Sequence, residues 1–335
     1  MGKVSQFLRK IGLSSKPRSS RKGGVDENEE SSSDMVEIPK KIHHFWQGDV
    51  NLLREHVPNL NEIASMNSNY KIRLHILPSE NENLEMLESQ LEGIKVKDIT
   101  KEKWFHDFKK SPRASQFDAS RTGARPHLAS GADILKSELI YRKGGIWNDV
   151  DNKPLKGLPN ELKVPKGKLL IAGPVKFVRW GGVVGFHSST FAAHKKNELL
   201  KQLNISSLEK FNNVRNEIYK KNSITDDPDK HFQMISETAG SLHFSKELME
   251  RDESLKSEVM DLYRTGEVAN NSLVIFDNYF KPTTTTGVGN IDEVQTMKAF
   301  RMVGGGIIAA DYSPAQLAAI VAARKLAGKE VHIVI

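Results

Sequence analysis

An α/β fold built on a largely parallel sheet is what this sequence predicts, from three observations. Short β-rich runs alternate with helix-patterned runs across the first 150 residues. A Gly-Gly pair ends one of those helices and leads at once into an apolar strand, and that strand finishes in acidic residues. The chain is long enough for this: 335 residues close one large α/β domain or two small ones around a substantial core.

The elements follow in order. Lys41 to Gln47 and Lys71 to Leu77 are short β-rich runs separated by a helical pattern from about Leu52 to Met66, and Asn81 to Glu92 is a second helical pattern. This is the opening of a doubly wound parallel sheet. Residues 111–125 are polar and read as structureless. A helix with Leu128, Ala132, Leu135 and Leu139 on one face runs from there to about Arg142, and Gly144-Gly145 stops it. The strand Ile146 to Val150 comes next. Apolar runs at Lys168 to Ala172 and Val183 to Phe186 precede mostly helical patterns from Thr190 to about Arg251. A strand at Ser272 to Phe276, a Thr/Gly-rich loop, a last helix with Ala318, Ile320, Val321 and Leu326 facing the core, and the strand-like Val331 to Ile335 complete the chain. There is no internal repeat.

Composition narrows the chemistry. With no cysteine there is no disulfide framework, thiolate zinc site or cysteine nucleophile, so a metal must be held by oxygen or imidazole, and the chain fits a reducing compartment. The longest apolar stretches, such as Leu317 to Ala323, are far short of the roughly 20 residues of a membrane span. The net charge of +7 divides by position into a basic head of +7 (residues 1–22), an acidic stretch of −5 (23–36) and a dilute +5 over the rest. A nucleic-acid face is therefore not expected. Residues 1–36 read as a disordered leader. Within it Val4, Phe7, Leu8 and Ile11 form a short basic amphipathic pattern suited to an anionic membrane, and 37–335 is the folded domain.

The most informative segment runs from Ser130 to Asp151. Asp149 and Asp151 occupy alternate positions at a strand end, so they lie on one face and can converge on one site, and Pro154 soon ends the strand. Such a pair suits a hard divalent cation, Mg²⁺ or Mn²⁺, that takes further ligands from substrate phosphates. Its place at the carboxyl end of a strand is where α/β folds bind ligands. His43-His44 are expected to pack and hydrogen-bond at their strand rather than bind zinc.

The whole segment, with its Asp133-Ile-Leu helix, Gly-Gly stop, hydrophobic strand and Asp-x-Asp, resembles the sugar-nucleotide region of DXD glycosyltransferases. It looks most similar to the catalytic domains of large clostridial glucosylating toxins and related bacterial effectors of the tyrosine-glycosylating type. Ile38 to Gly48, Ile-Pro-Lys-Lys-Ile-His-His-Phe-Trp-Gln-Gly, resembles that family's first strand. The resemblance implies a GT-A type Rossmann-like mixed sheet with helical insertions and a donor such as UDP-glucose or UDP-N-acetylglucosamine. It implies that Trp46 stacks on uracil, Asp133 bonds the donor sugar's hydroxyls, Asp149 contacts ribose and metal-bound water, Asp151 ligates the metal, and Trp147 fills the aromatic position before the pair. Lys136 stands where clostridial members carry Arg, and Asn148 replaces a usual apolar residue. A loop from Thr283 to Asp292 is the candidate for the family's late metal and phosphate contacts, with Asn290 and Asp292 as ligands.

The function so implied is metal-dependent, retaining transfer of a hexose or N-acetylhexosamine from a UDP-sugar to a protein side chain. The acceptor would be a host small GTPase, reached by a secreted bacterial effector in the host cytosol. Two alternatives are an Asp-x-Asp phosphate-ester hydrolase and a non-catalytic membrane-associated adaptor. Lys153 stands where hydrolases of the first kind favour Thr or Val, and the second leaves Trp46, Asp133, Asp149 and Asp151 unexplained.

Overall fold

A computed structural model describes residues 34–79, 84–122, 126–177, 183–218, 228–265 and 271–282, with the pairs 307–308 and 333–334. Its centre is a six-stranded mixed sheet: β1 (Lys41–Gln47), β2 (Lys71–Leu77), β3 (Ile94–Asp98), β4 (Gly145–Asn148), β5 (Leu170–Ile171) and β6 (Thr190–Ala193), in the order β3-β2-β1-β4-β6-β5. The first four strands run parallel, with Ile42 opposite Ile72 and Ile146, and β6 turns antiparallel between β4 and β5. Buried Ile42, Ile72, Leu74, Ile76 and Ile146 make the sheet's interior. Full burial of each such side chain contributes about 1.5–3 kcal/mol.

Helices cover the sheet. They are α1 (Val57–Met66), α2 (Lys103–Lys109), α3 (Arg113–Thr122), α4 (Leu128–Lys143), α5 (Glu198–Ile218), α6 (Pro228–Thr238), α7 (Ser241–Arg251) and α8 (Glu253–Thr265). Helix α4 buries Ile134, Leu135, Leu139 and Ile140. It stops where expected, because Gly144 and Gly145 take φ of +63° and +111°, and a Cβ on Gly144 would stand 2.8 Å from the Lys195 backbone nitrogen.

Several expectations need correcting. Residues 113–122 are a helix. Its polar look is deceptive because its buried face sets paired polar groups beside Ala114 and Phe117: Arg113 meets Glu138 at 3.2 Å and the Gln116 amide meets Ser207 Oγ at 2.9 Å. Thr190 to Ala193 is a strand rather than the start of a helical run; it is buried on both faces, so no alternation marks it. The helical pattern at 81–92 is realised over Leu84–Glu88 and followed by β3, a strand that the periodicity did not disclose. At Ser272 to Phe276 only Val274 bridges to Ile171 before the chain turns into a short 3₁₀ segment, Phe276–Asn278. Pro154 does not end pairing but lies opposite Phe280 in a two-residue antiparallel ribbon. The basic leader helix and the core positions Ala318, Ile320, Val321 and Leu326 lie outside the described residues, and Ile333–Val334 pairs in parallel with Ile307–Ile308.

Candidate active site

Strand β4 ends at Asn148, so Asp149 and Asp151 lie in a turn beyond it and not on the strand as expected. What holds the turn is a set of backbone bonds and short polar side chains, from within it and from elsewhere in the chain. The Asp149 N–H donates to the Ser189 carbonyl at 2.9 Å, and the Asn152 N–H closes the turn on Asp149's own carbonyl. The buried Asn152 amide is within reach of Asn148 Oδ1 (2.9 Å), Thr190 Oγ1 (2.8 Å) and the Ser189 carbonyl (3.2 Å). From α1, the Asn59 amide donates to the carbonyls of Val150 (3.0 Å) and Asn152 (2.7 Å). His44 Nδ1 donates to the Asn148 carbonyl at 2.7 Å. Asn148, which departs from the usual apolar residue, thus anchors the turn from inside. Apart from His44 and Asn148, none of these partners carries a sequence signal, since an isolated Asn or Ser has no periodicity.

Lys136 is the electrostatic centre. It is buried on α4, ion-paired with Asp133 one turn back, and donates to Ser188 Oγ at 2.9 Å, which in turn shares a hydrogen bond with Ser241 Oγ at 3.0 Å. Burial alone would lower its pKa; Asp133 foremost, then Asp149 and Asp151, outweigh that and hold it above the ordinary lysine value. Asp149 is pushed up to about 7, by burial first, with repulsion from Asp151 and Asp133 added and Lys136 and the Trp147 hydrogen bond opposing. Trp147 is enclosed in the core, where its indole N–H donates to Asp149 Oδ1 at 2.6 Å and its ring lies 6.0 Å from Lys136 Nζ. Oδ2 is left as the atom through which Asp149 can meet a ligand.

Trp46 is the last residue but one of β1, at the same edge of the sheet, two residues beyond His44. It is half-buried, its N–H held by the Asp49 carbonyl at 3.1 Å and its ring 5.9 Å from that of His56. Asp133 Oδ2 lies beside Gly240 at the start of α7. Fold and register thus bring Trp46, Asp133, Lys136, Asp149 and Asp151 to one edge, while Trp147 acts from beneath it. Asn290 and Asp292 lie outside the described residues. The ribbon of Phe280–Lys281 against Lys153–Pro154 does bring the chain alongside residues that follow Asp151 directly.

No family model matches the chain. Among solved structures it is similar to the PaToxG glycosyltransferase, with a TM-score of 0.54 and 21% identity over 69% of this chain and 76% of that one. The fold is that of a toxin glycosyltransferase domain. Among curated proteins the chain is 28% identical over 148 residues to the Subversion of eukaryotic traffic protein A of Legionella pneumophila subsp. pneumophila. It is 27% identical over 135 residues to a toxin of Photorhabdus asymbiotica subsp. asymbiotica. These matches take in 43% and 39% of this chain but only 22% and 4% of the relatives' lengths.

The donor set at this glycosyltransferase-fold edge suits a hard cation. Asp149 and Asp151 offer oxygen only, and the raised pKa of Asp149 reflects burial first and then the neighbouring carboxylates, both of which a divalent ion would offset. Among the described residues no three His, Asp or Glu side chains gather into a metal cage. A two-carboxylate site of this kind leaves coordination positions for water and substrate phosphate.

Proposed function

We propose that the protein is a metal-dependent, retaining glycosyltransferase that moves a hexose or N-acetylhexosamine from a UDP-sugar to a protein side chain. The observation that carries this is the convergence of Asp133, Asp149 and Asp151 on the buried Lys136, at a sheet edge that also presents the half-exposed Trp46. A phosphate-ester hydrolase would not call for an indole platform or for the carboxylate on α4.

Each residue then has a role. Trp46 offers a flat apolar face to the uracil. Asp133, oriented by Lys136, accepts hydrogen bonds from the donor sugar's hydroxyls. Lys136 opposes the burial and mutual repulsion that disfavour the ionised carboxylates, and places positive charge near the diphosphate as negative charge grows on it. Asp151 and Oδ2 of Asp149 would hold Mn²⁺ or Mg²⁺, with Asn290 and Asp292 as further ligand candidates; the ion supplies Lewis-acid neutralisation of the leaving diphosphate. The relatives' names, a toxin and a traffic-subverting protein, support an effector acting on a host protein, for which we propose a small GTPase in the host cytosol. The leader, residues 1–22, is proposed to target an anionic membrane there.

The test is a panel of UDP-sugars read by thermal shift with and without Mn²⁺, followed by donor hydrolysis. A donor-specific, Mn²⁺-dependent shift and turnover that Asp151→Ala abolishes in a folded protein are expected. Unchanged turnover in that variant removes the metal role, and no shift with any donor removes the function.

A further inference from the structure

The opposite edge of the sheet carries a second feature that sugar transfer does not use. A cleft of about 340 Å³ opens where α4 ends, between α2 and the loop after β6. Its charged lining is Lys103, Asp107, Arg142, Lys143, Lys195 and Lys196. Lys103 is taken by Asp107 at 2.9 Å and Arg142 by Glu138 at 2.6 Å. Among the described residues, Lys143, Lys195 and Lys196 have no carboxylate within ion-pair distance. The end of a helix favours cations, which accounts for Arg142 and Lys143. It does not account for Lys195 and Lys196, which come from a separate loop and are exposed.

A further observation points to an anion. Lys41, at the same edge, is held below the ordinary lysine range by burial and then by Arg73, Lys143, Lys71 and Lys195. The cations there repel one another, and a bound polyanion would relieve that repulsion.

We propose that this cleft binds a compact polyphosphorylated ligand, seated on Lys143, Lys195 and Lys196 at the sheet edge remote from Asp149 and Asp151. The volume is at the small end of ligand pockets, which suits a few phosphate groups rather than a whole nucleotide sugar. The source of the phosphates is either a soluble polyphosphate or the headgroup of a phosphorylated lipid.

The experiment uses the full chain and two probes, inorganic tripolyphosphate and vesicles of phosphatidylcholine carrying either a phosphoinositide or phosphatidylserine at matched charge. The variant Lys143→Gln/Lys195→Gln/Lys196→Asn removes three charges; Asn suits the left-handed backbone of Lys196, whose φ is +58°. Tripolyphosphate is expected to raise the melting temperature of the natural chain and of Asp151→Ala alike, and to bind the triple variant at least tenfold more weakly. Donor hydrolysis by the triple variant should be unchanged, which separates this site from the catalytic one. Binding to phosphoinositide vesicles but not to phosphatidylserine vesicles assigns a lipid headgroup, and binding to tripolyphosphate alone assigns a soluble ligand. Equal binding by the natural chain and a folded triple variant, or no binding to either probe, overturns the proposal.

Discussion

The indole N–H of Trp147 donates to Oδ1 of Asp149 at 2.6 Å, from within the core to the rim of the candidate site. The two residues are neighbours but one along the chain, yet one ends up enclosed and the other keeps partial exposure. The core thereby aims a carboxylate.

Trp147→Phe keeps an aromatic ring in the core and deletes that donor. Partners of this kind are worth about 10–100-fold in metal affinity or activity. Calorimetric titration of Mn²⁺ in the presence of UDP should show a loss within that range, alongside a modest fall in melting temperature. Unaltered Mn²⁺ affinity would show that the hydrogen bond does not orient Asp149.

Lys136→Met leaves Asp133, Asp149 and Asp151 without their buried counter-charge. Breaking a buried ion pair in this way costs about 3–5 kcal/mol, and urea unfolding without metal should show a loss of that size. Mn²⁺ should narrow the gap between variant and natural chain, because it supplies charge to the same carboxylates. A gap that Mn²⁺ does not change would place Lys136 outside the cation's field.

Asn59→Ala and Asn152→Ala remove the amides that satisfy the turn from α1 and from within. Each leaves buried acceptors unpaired, at about 1–3 kcal/mol. Donor hydrolysis should fall further than stability alone accounts for, measured at a temperature where both variants remain folded. Full activity in either would mean that the turn holds its shape without them.

Five buried imidazoles among the described residues should make the protein acid-sensitive. Burial is the first cause in each case: His43, His187 and His243 are lowered to about 3, His44 to about 4, and His75 lies well below its usual value. A group whose pKa is depressed by folding gives its full stability above the unfolded value near 6.5 and loses it as the pH falls toward the folded one. At pH 5 the loss is roughly 1–2 kcal/mol per imidazole. Glu258, raised by burial to about 7, works in the opposite direction and offsets part of it. Melting temperature should fall steeply from pH 6.5 to pH 4.5. A flat profile would mean that these rings are protonated in the folded state.

The strands Lys41–Gln47 and Lys71–Leu77, the helix ending at Gly144 and the acidic pair were legible because each is written in consecutive residues, as a periodicity, a breaker or a spacing. So was the expectation for His43 and His44, which bond to His75 and to the Asn148 carbonyl. Helix Arg113–Thr122 and strand Thr190–Ala193 were not legible. One buries charge and amide against distant partners and the other is apolar on both faces, so neither carries the pattern that marks its class.

By itself, then, the sequence determined that an acidic pair follows a Gly-Gly stop and a short strand in an α/β chain, and that a metal in the protein would have oxygen or imidazole ligands, since no cysteine exists, with the acidic pair offering oxygen. Only the tertiary structure decided that the pair sits in a turn. It alone decided that Asn59, Ser189 and Thr190 hold that turn, that Trp147 serves Asp149 from beneath, and that loose lysines collect at the far edge. The reason is physical. Backbone preference acts over a few residues, whereas the hydrogen bonds that tie the turn to the rest of the chain join groups 37 to 104 positions apart and exist only once the sheet has aligned them.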